Sequence, residues 1–187
     1  MTWKRVKLEA ICTKITDGTH KTPKYVETGV CFLSAKNVSQ GYLDFTNCKY
    51  ITIEEHEQLK KRCFSESGDV MLSKSGSLGE AAIVPNVDFE FSMFESLALL
   101  KTNRSMVIPE FLQQLLSSPR SKKYFHSITT GLAVKHLHLV DLRKMPLSLP
   151  SIPEQTAIAD LLFTWDAAIE KTEQLIAAKE KRLNALY

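Results

Sequence analysis

The last stretch of the chain constrains its fold most. From Glu154 to Tyr187 there is neither glycine nor proline, and Ala, Leu, Glu, Lys and Gln predominate, residues that lose little freedom on entering a helix. Pro150 and Pro153 break whatever precedes it, and Ser151 and Glu154 have the spacing of a capping box. A helix over these 34 residues would be roughly 50 Å long at about 1.5 Å of rise per residue. Its apolar residues Ile158, Leu162, Trp165, Ile169, Ile176, Leu183 and Leu186 follow alternating steps of four and three, with Thr172 and Lys179 at two positions of the same series. Leu161, Ala168 and Leu175 widen the stripe. A domain of ~150 residues is only about 30 Å across, so the helix overhangs it and needs another surface. The pattern predicts pairing between molecules in the manner of a coiled coil.

Residues 1–150 read differently. Short β-like runs, Val30 to Leu33, Tyr42 to Phe45, Val70 to Leu72, Ala81 to Val84 and Leu97 to Leu100, are separated by turn residues. Two helical stretches interrupt them. One runs near Ile53 to Arg62 and is highly charged; the other opens at Pro109-Glu110 and lines up Phe111, Leu112, Leu115 and Leu116. Strand, turn and helix intermix without repeats or regular alternation, which predicts an α+β class: a β-rich mixed globular domain over 1–150, then a long spacer and dimerisation helix over 151–187.

Hydrophobic residues at 44% and charged residues at 24% match a folded soluble protein rather than a disordered one. No run of apolar residues suits a signal peptide or membrane span, so a cytoplasmic location is expected. Cys12, Cys31, Cys48 and Cys63 form no Cys-x-x-Cys pair and read as buried thiols. The tail from 154 onward holds 4 basic against 6 acidic residues, so the positive excess sits on the globular part. That distribution suits a polyanion partner for the domain and a protein partner for the helix.

Catalytic constellations are missing from the sequence. There is no phosphate-binding Gly-x-x-x-x-Gly-Lys-Ser/Thr, no Gly-x-Ser-x-Gly and no His-Glu-x-x-His. No lysine follows an acidic residue by two places, as in many metal-dependent nucleases, and no Pro-Pro pair offers an amino-methyltransferase motif. His136 and His138 share a spacing that could suit a metal, but a third ligand is not evident. The expectation is therefore no catalytic residue, no metal and no cofactor of its own.

What remains are polar, glycine-bearing loops, each with a cation nearby: Asp17 to Pro23, Ser34 to Asn37, and Ser73 to Gly79. Glycine lets backbone amides approach an anion, hydroxyls donate to phosphate oxygens, and Lys, Asn and His also reach base edges. The candidate DNA-binding residues are Thr19, His20, Lys21, Thr22, Lys36, Asn37, Lys74, Ser75, Gly76, Ser77 and Gly79, with Gly131, Lys135 and His136 as a fourth group. Ordinary hairpin turns have the same Asp-Gly and Ser-Gly texture, so the loops leave a protein-binding helical adaptor open as an alternative.

The chain resembles the specificity subunits of type I restriction-modification systems. The resemblance runs from about Trp3 to Tyr187. It rests on Leu8 to Ile15 followed by Asp17-Gly18-Thr19-His20, on Gly29 to Leu33 leading to Asn37-Val38, and on Gly68 to Leu72 leading to Gly76-Ser77-Leu78-Gly79. Its most specific part is the junction from Met145 to Gln155, with Ile158-Ala159 and Asp166 to Ile169 beyond. The resemblance implies a target-recognition domain that grips one half of a bipartite double-stranded DNA site and a spacer helix that sets the gap. It also implies partners: methyltransferase subunits that carry S-adenosylmethionine, and the restriction subunit. Such subunits usually hold two recognition domains and two spacer helices, whereas one of each is seen here; the expectation is a homodimer whose helices pair antiparallel and which reads an interrupted palindrome, the alternatives being a fragment of a longer chain or a half that pairs with a different half and reads an asymmetric site.

Overall fold

A computed structural model describes residues 3–39, 41–129 and 136–185. In chain order, β1 (Lys4–Lys7) leads through a 3-10 turn to β2 (Cys12–Asp17). A long loop precedes β3 (Val30–Leu33), the short hairpin β4 (Val38–Ser39) and β5 (Tyr42–Leu43), and β6 (Lys49–Ile51). Helix α1 (Ile53–Lys60) follows, then β7 (Val70–Ser73), β8 (Ala81–Ile83), β9 (Phe91–Met93) and β10 (Leu97–Thr102). Helices α2 (Pro109–Ser117), α3 (Pro119–Ile128) and α4 (Leu139–Arg143), strand β11 (Pro146–Leu149) and helix α5 (Ile152–Asn184) complete the fold. Mixed α+β architecture ending in a long helix is thus as expected.

The centre is a four-stranded antiparallel sheet in the order β2-β10-β7-β8. Successive side chains of a strand point to opposite faces, and here both faces are covered. Ala98 and Leu100 of β10, with Val70 and Leu72 of β7, join Phe111, Leu112 and Leu116 of α2 and Phe125 of α3 in one core. Leu97, Leu99 and Met71 point the other way, into a second core with Cys31, Leu33, Phe91 and Met93. That second core is closed by the sheet β6-β3-β9, in which β3 and β9 run parallel. Burial on two faces is why these strands read as unbroken apolar runs rather than as alternations.

Local chemistry sets the helix ends. Thr52 caps α1 by accepting from the Glu55 amide at 3.2 Å, with Glu54 and Glu55 in the favourable first turn. Ser118 ends α2 and caps α3, accepting from the Ser121 amide at 3.3 Å, and Pro119 takes the first helical position. Helix α3 was not anticipated from the sequence, although Ser118-Pro119 is such a start signal.

Helix α5 spans 33 residues. Ser151 occupies its cap position, but the expected capping box does not form: Ser151 makes no side-chain cap, and Glu154 accepts from the Trp3 indole at 3.1 Å instead. The helix is anchored by Gln155, which is fully buried. Its Oε1 accepts from the Ile108 amide at 3.1 Å, and its Nε2 donates to the carbonyls of Met106 at 3.0 Å and Pro150 at 3.1 Å. Ala159 is buried and Ile158 half-buried against the domain core, so Ile158 belongs to the root of the helix rather than to its free stripe. Every described residue from Asp160 to Ala185 is exposed, including Leu162, Trp165 (62%), Ile169, Ile176 and Leu183. Leu186 lies outside the described residues.

The cysteines depart from expectation in part. Cys31 and Cys48 are joined as a disulfide, their Cα atoms 5.7 Å apart, because β3 and the approach to β6 run side by side. Cys12 and Cys63 are free, and burial pushes their thiols up to about 12 and about 11. No helix among the described residues is long and apolar enough to cross a membrane.

Candidate nucleic-acid interface

The turn Phe94 to Ser96, between β9 and β10, gathers loops that are far apart in sequence. The Thr19 amide donates to the Met93 carbonyl at 3.1 Å and the Glu95 amide to the Thr19 carbonyl at 3.0 Å. The Lys74 amide donates to the Ser96 carbonyl at 2.7 Å, and the Ala35 amide to Ser96 Oγ at 3.0 Å. The Leu137 amide reaches the Lys74 carbonyl at 2.9 Å, and His136 bridges Ser75. All three predicted loops and His136 of the fourth group therefore converge on one end of the domain. The turn that gathers them was missed, although its signal was present as Glu95-Ser96 between two apolar runs. Glycine at 18 is compulsory, since a Cβ there would sit 2.0 Å from the Met93 carbonyl oxygen.

Beneath the loops lies a buried ionic centre. One oxygen of Asp17 accepts from Arg62 at 2.6 Å; the other takes Lys74 Nζ at 2.7 Å and His20 Nε2 at 3.2 Å. Glu95 stands 3.9 Å from Lys74 and 3.5 Å from His136. Burial alone would raise the Asp17 carboxyl, but the Lys74 hydrogen bond and charge, with His20 and Arg62, hold it below the usual carboxylate range. Burial and the Lys74 charge outweigh Glu95 and lower the His136 imidazole from its usual range.

This centre corrects two expectations. Lys74 was expected to meet phosphate, yet it is 1% exposed. A buried carboxylate must be paired, and Lys74 is the partner Asp17 finds. Asn37 was expected to reach a base edge, but its side chain is buried. Its Oδ1 accepts from the Ser34 amide at 2.9 Å and its Nδ2 donates to the Asp44 carbonyl at 3.1 Å, so its hydrogen bonds shape the turn.

The remaining candidates divide by exposure. His20, Lys21, Thr22, Lys36, Gly76 and Ser77 are exposed, while Thr19, Ser75 and His136 are half-buried. Gly79 is buried under the Phe125 ring and supports the loop at φ +84°. Gly76, at φ +69°, has open space around it, so its backbone is free to approach a ligand. Ser73 Oγ ties this loop from below, donating to the carbonyls of Ser75 and Ser77. Lys21 and Lys36 make no ion pair among the described residues, which leaves both charges available to solvent or phosphate. Gly131 and Lys135 lie outside the described residues.

His136 and His138 have ring centres 5.2 Å apart, and among the described residues the group that brings three metal-capable side chains together is elsewhere, at His56, Glu57 and Glu90. There Lys60 Nζ already neutralises Glu90 at 2.6 Å, and His56 is held by Ser92 Oγ at 2.8 Å and Glu90 at 2.9 Å.

Comparison with known proteins places this arrangement. The family profile described as "Type I restriction modification DNA specificity domain" matches residues 1–180. The EcoBI specificity subunit of Escherichia coli is 27% identical over 78% of this chain and 31% of its own length. The MjaVIII specificity subunit of Methanocaldococcus jannaschii is 24% identical over 98% of this chain and 45% of its own. The chain thus spans less than half the length of these relatives. In fold it is similar to the HsdS subunit from Thermoanaerobacter tengcongensis, with a TM-score of 0.71 at 19% identity over 98% of this chain and 47% of that one. The gathered loops, the protruding helix and the profile match over nearly the whole chain agree: this protein belongs to the type I restriction modification DNA specificity domain family.

Proposed function

We propose that this chain is a non-catalytic specificity component that reads one half of a bipartite DNA target and delivers it to methyltransferase and restriction subunits in the cytoplasm. The observation that carries the reading is the convergence of three glycine-bearing loops, with the exposed cations of Lys21 and Lys36, on the Phe94–Ser96 turn. Backbone amides and cations position a duplex, while side chains such as His20, Thr22 and Ser77 are exposed for base edges. S-adenosylmethionine belongs on the methyltransferase partner. The exposed stripe of α5 pairs with a second copy in antiparallel fashion, so that two domains face two half-sites about a two-fold axis.

Co-expression with type I methyltransferase subunits, followed by single-molecule mapping of adenine methylation, tests this directly. Chain-dependent methylation at an interrupted palindrome is the expected result. No chain-dependent methylation with soluble partners present would reject the reading in favour of a protein-binding adaptor. Binding to duplex DNA should also fall steeply with salt, by about 10³–10⁵-fold between about 50 and 200 mM for 6–10 phosphate contacts in the dimer.

A further inference from the structure

Glu95 stands at the middle of the turn on which the loops converge. Its side chain is 23% exposed, where that of Asp17 beside it is 4% exposed. Three groups approach one of its oxygens, Oε2: His136 Nε2 at 3.5 Å, Lys74 Nζ at 3.9 Å and His20 Nδ1 at 3.9 Å. Each contact is longer than an ordinary hydrogen bond, and among the described residues no group donates a hydrogen bond to either Glu95 oxygen. The backbone beneath is fixed independently. The Glu95 amide donates to the Thr19 carbonyl at 3.0 Å, the Phe94 amide to the Leu33 carbonyl at 2.8 Å, and the Ser96 carbonyl takes the Lys74 amide at 2.7 Å. A carboxylate is thus held on a braced turn with its acceptor capacity unfilled.

The buried ionic centre does not need Glu95 as its counter-ion, because Lys74 and His20 already meet Asp17 at 2.7 and 3.2 Å. On a surface that meets phosphate, an acid lowers affinity. That cost is offset where the carboxylate accepts a hydrogen bond from a base edge. In the major groove the donors are the N4 amine of cytosine and the N6 amine of adenine. Adenine sets its acceptor N7 beside that amine, which repels a carboxylate, and guanine and thymine present acceptors to it. Cytosine offers its amine with no acceptor of its own alongside.

We propose that Glu95 is a specificity-determining residue that accepts a hydrogen bond from the N4 amine of one cytosine in the half-site. Lys74, His20 and His136 steady Oε2, and the braced turn fixes the position from which the carboxylate reads. The inference rests on the reading that the gathered loops bind duplex DNA.

The test compares the full wild-type chain with Glu95→Gln, a change that keeps the size of the side chain and removes its charge. Each is combined with methyltransferase subunits and selects from duplexes randomised across the target. At one C·G pair of the half-site, the preference for cytosine should fall at least ~5-fold in the variant, with the other positions keeping theirs. Affinity for unselected duplex stays equal or rises as a negative charge leaves the surface, and the unfolding midpoint is unchanged. Preference lost at every position together, with a lowered midpoint, would mean that Glu95 only props the turn and overturns the proposal, as would preferences unchanged throughout. A second measurement leaves the protein unaltered: each cytosine of the selected half-site is replaced in turn by an analogue without the N4 amine. At one position the replacement should weaken wild-type binding at least ~5-fold and leave the variant nearly unaffected. Absence of such a position overturns the role of Glu95 and leaves DNA reading standing. A wild-type chain that selects no sequence with soluble partners present overturns both.

Discussion

Lys74 is 57 residues from Asp17 in sequence and 2.7 Å from it in space. That separation is why the polar texture Ser73-Lys74-Ser75-Gly76 located a loop but misplaced its cation: a local window shows the charge and not the buried carboxylate that claims it. Lys21 and Lys36 read the same way in sequence and are exposed. The two classes separate by experiment. Lys74→Ala takes the buried cation from Asp17, which keeps Arg62 and His20 as partners, and should cost up to about 3–5 kcal/mol in denaturant unfolding. Lys36→Ala should leave the unfolding midpoint unchanged, weaken binding across all DNA sequences alike, and reduce the salt slope by about 1. A stable Lys74→Ala protein with selectively weakened DNA binding would reverse the assignment. Acid adds a further check on the same pair. The Asp17 carboxyl is lowered from 3.8 in the folded chain, so its stabilisation is fully present above about pH 4 and is lost as pH falls through the folded value. Unfolding followed from about pH 5 downward should show the wild type losing stability more steeply than Asp17→Asn.

Strands and helices were legible where one chemical pattern dominates. The runs at β3, β7, β8 and β10 and the starts of α1 and α2 fall where the sequence places them. Less legible was which face of a two-sided strand serves which core, because in β10 every position from Leu97 to Leu100 is apolar and buried. Leu99 fills the second core while its neighbour Leu100 fills the first. Leu99→Ala should therefore cost about 2–5 kcal/mol, measured as a shift of the unfolding midpoint, and loosen the β3-β9 layer that bears the Phe94–Ser96 turn. The anchor of α5 was illegible for a different reason. Gln155 looks like an ordinary surface helix residue, and only the structure shows three backbone groups meeting it. Gln155→Leu leaves the Ile108 amide and two carbonyls without partners, each at about 1–3 kcal/mol if they stay dry. The expected outcome is destabilisation with early amide exchange at Ile108, and full protection there would show that the bonds are dispensable.

At the scale of the whole molecule, the apolar stripe of α5 is a surface the domain does not cover. Ile169 is 54% and Ile176 51% exposed, so neither contributes to the fold of the isolated chain in the way a core residue does. Ile169→Glu/Ile176→Glu should consequently leave thermal unfolding of the domain near the wild-type value while converting the proposed dimer to monomer in light scattering. The consequence for DNA follows from linkage of sites rather than from any contact with bases. Two domains joined by paired helices bind the second half-site at a high effective concentration, which raises overall affinity by about 10²–10⁴-fold over a single domain when the spacing fits. The monomeric variant should lose that gain on an interrupted palindrome and show no dependence on the length of the gap between half-sites. The wild type should prefer one gap, because the proposed pair of helices would fix the distance between the two loop clusters. A variant that stays dimeric, or a monomer that still discriminates gap length, would place the ruler somewhere other than the stripe of α5.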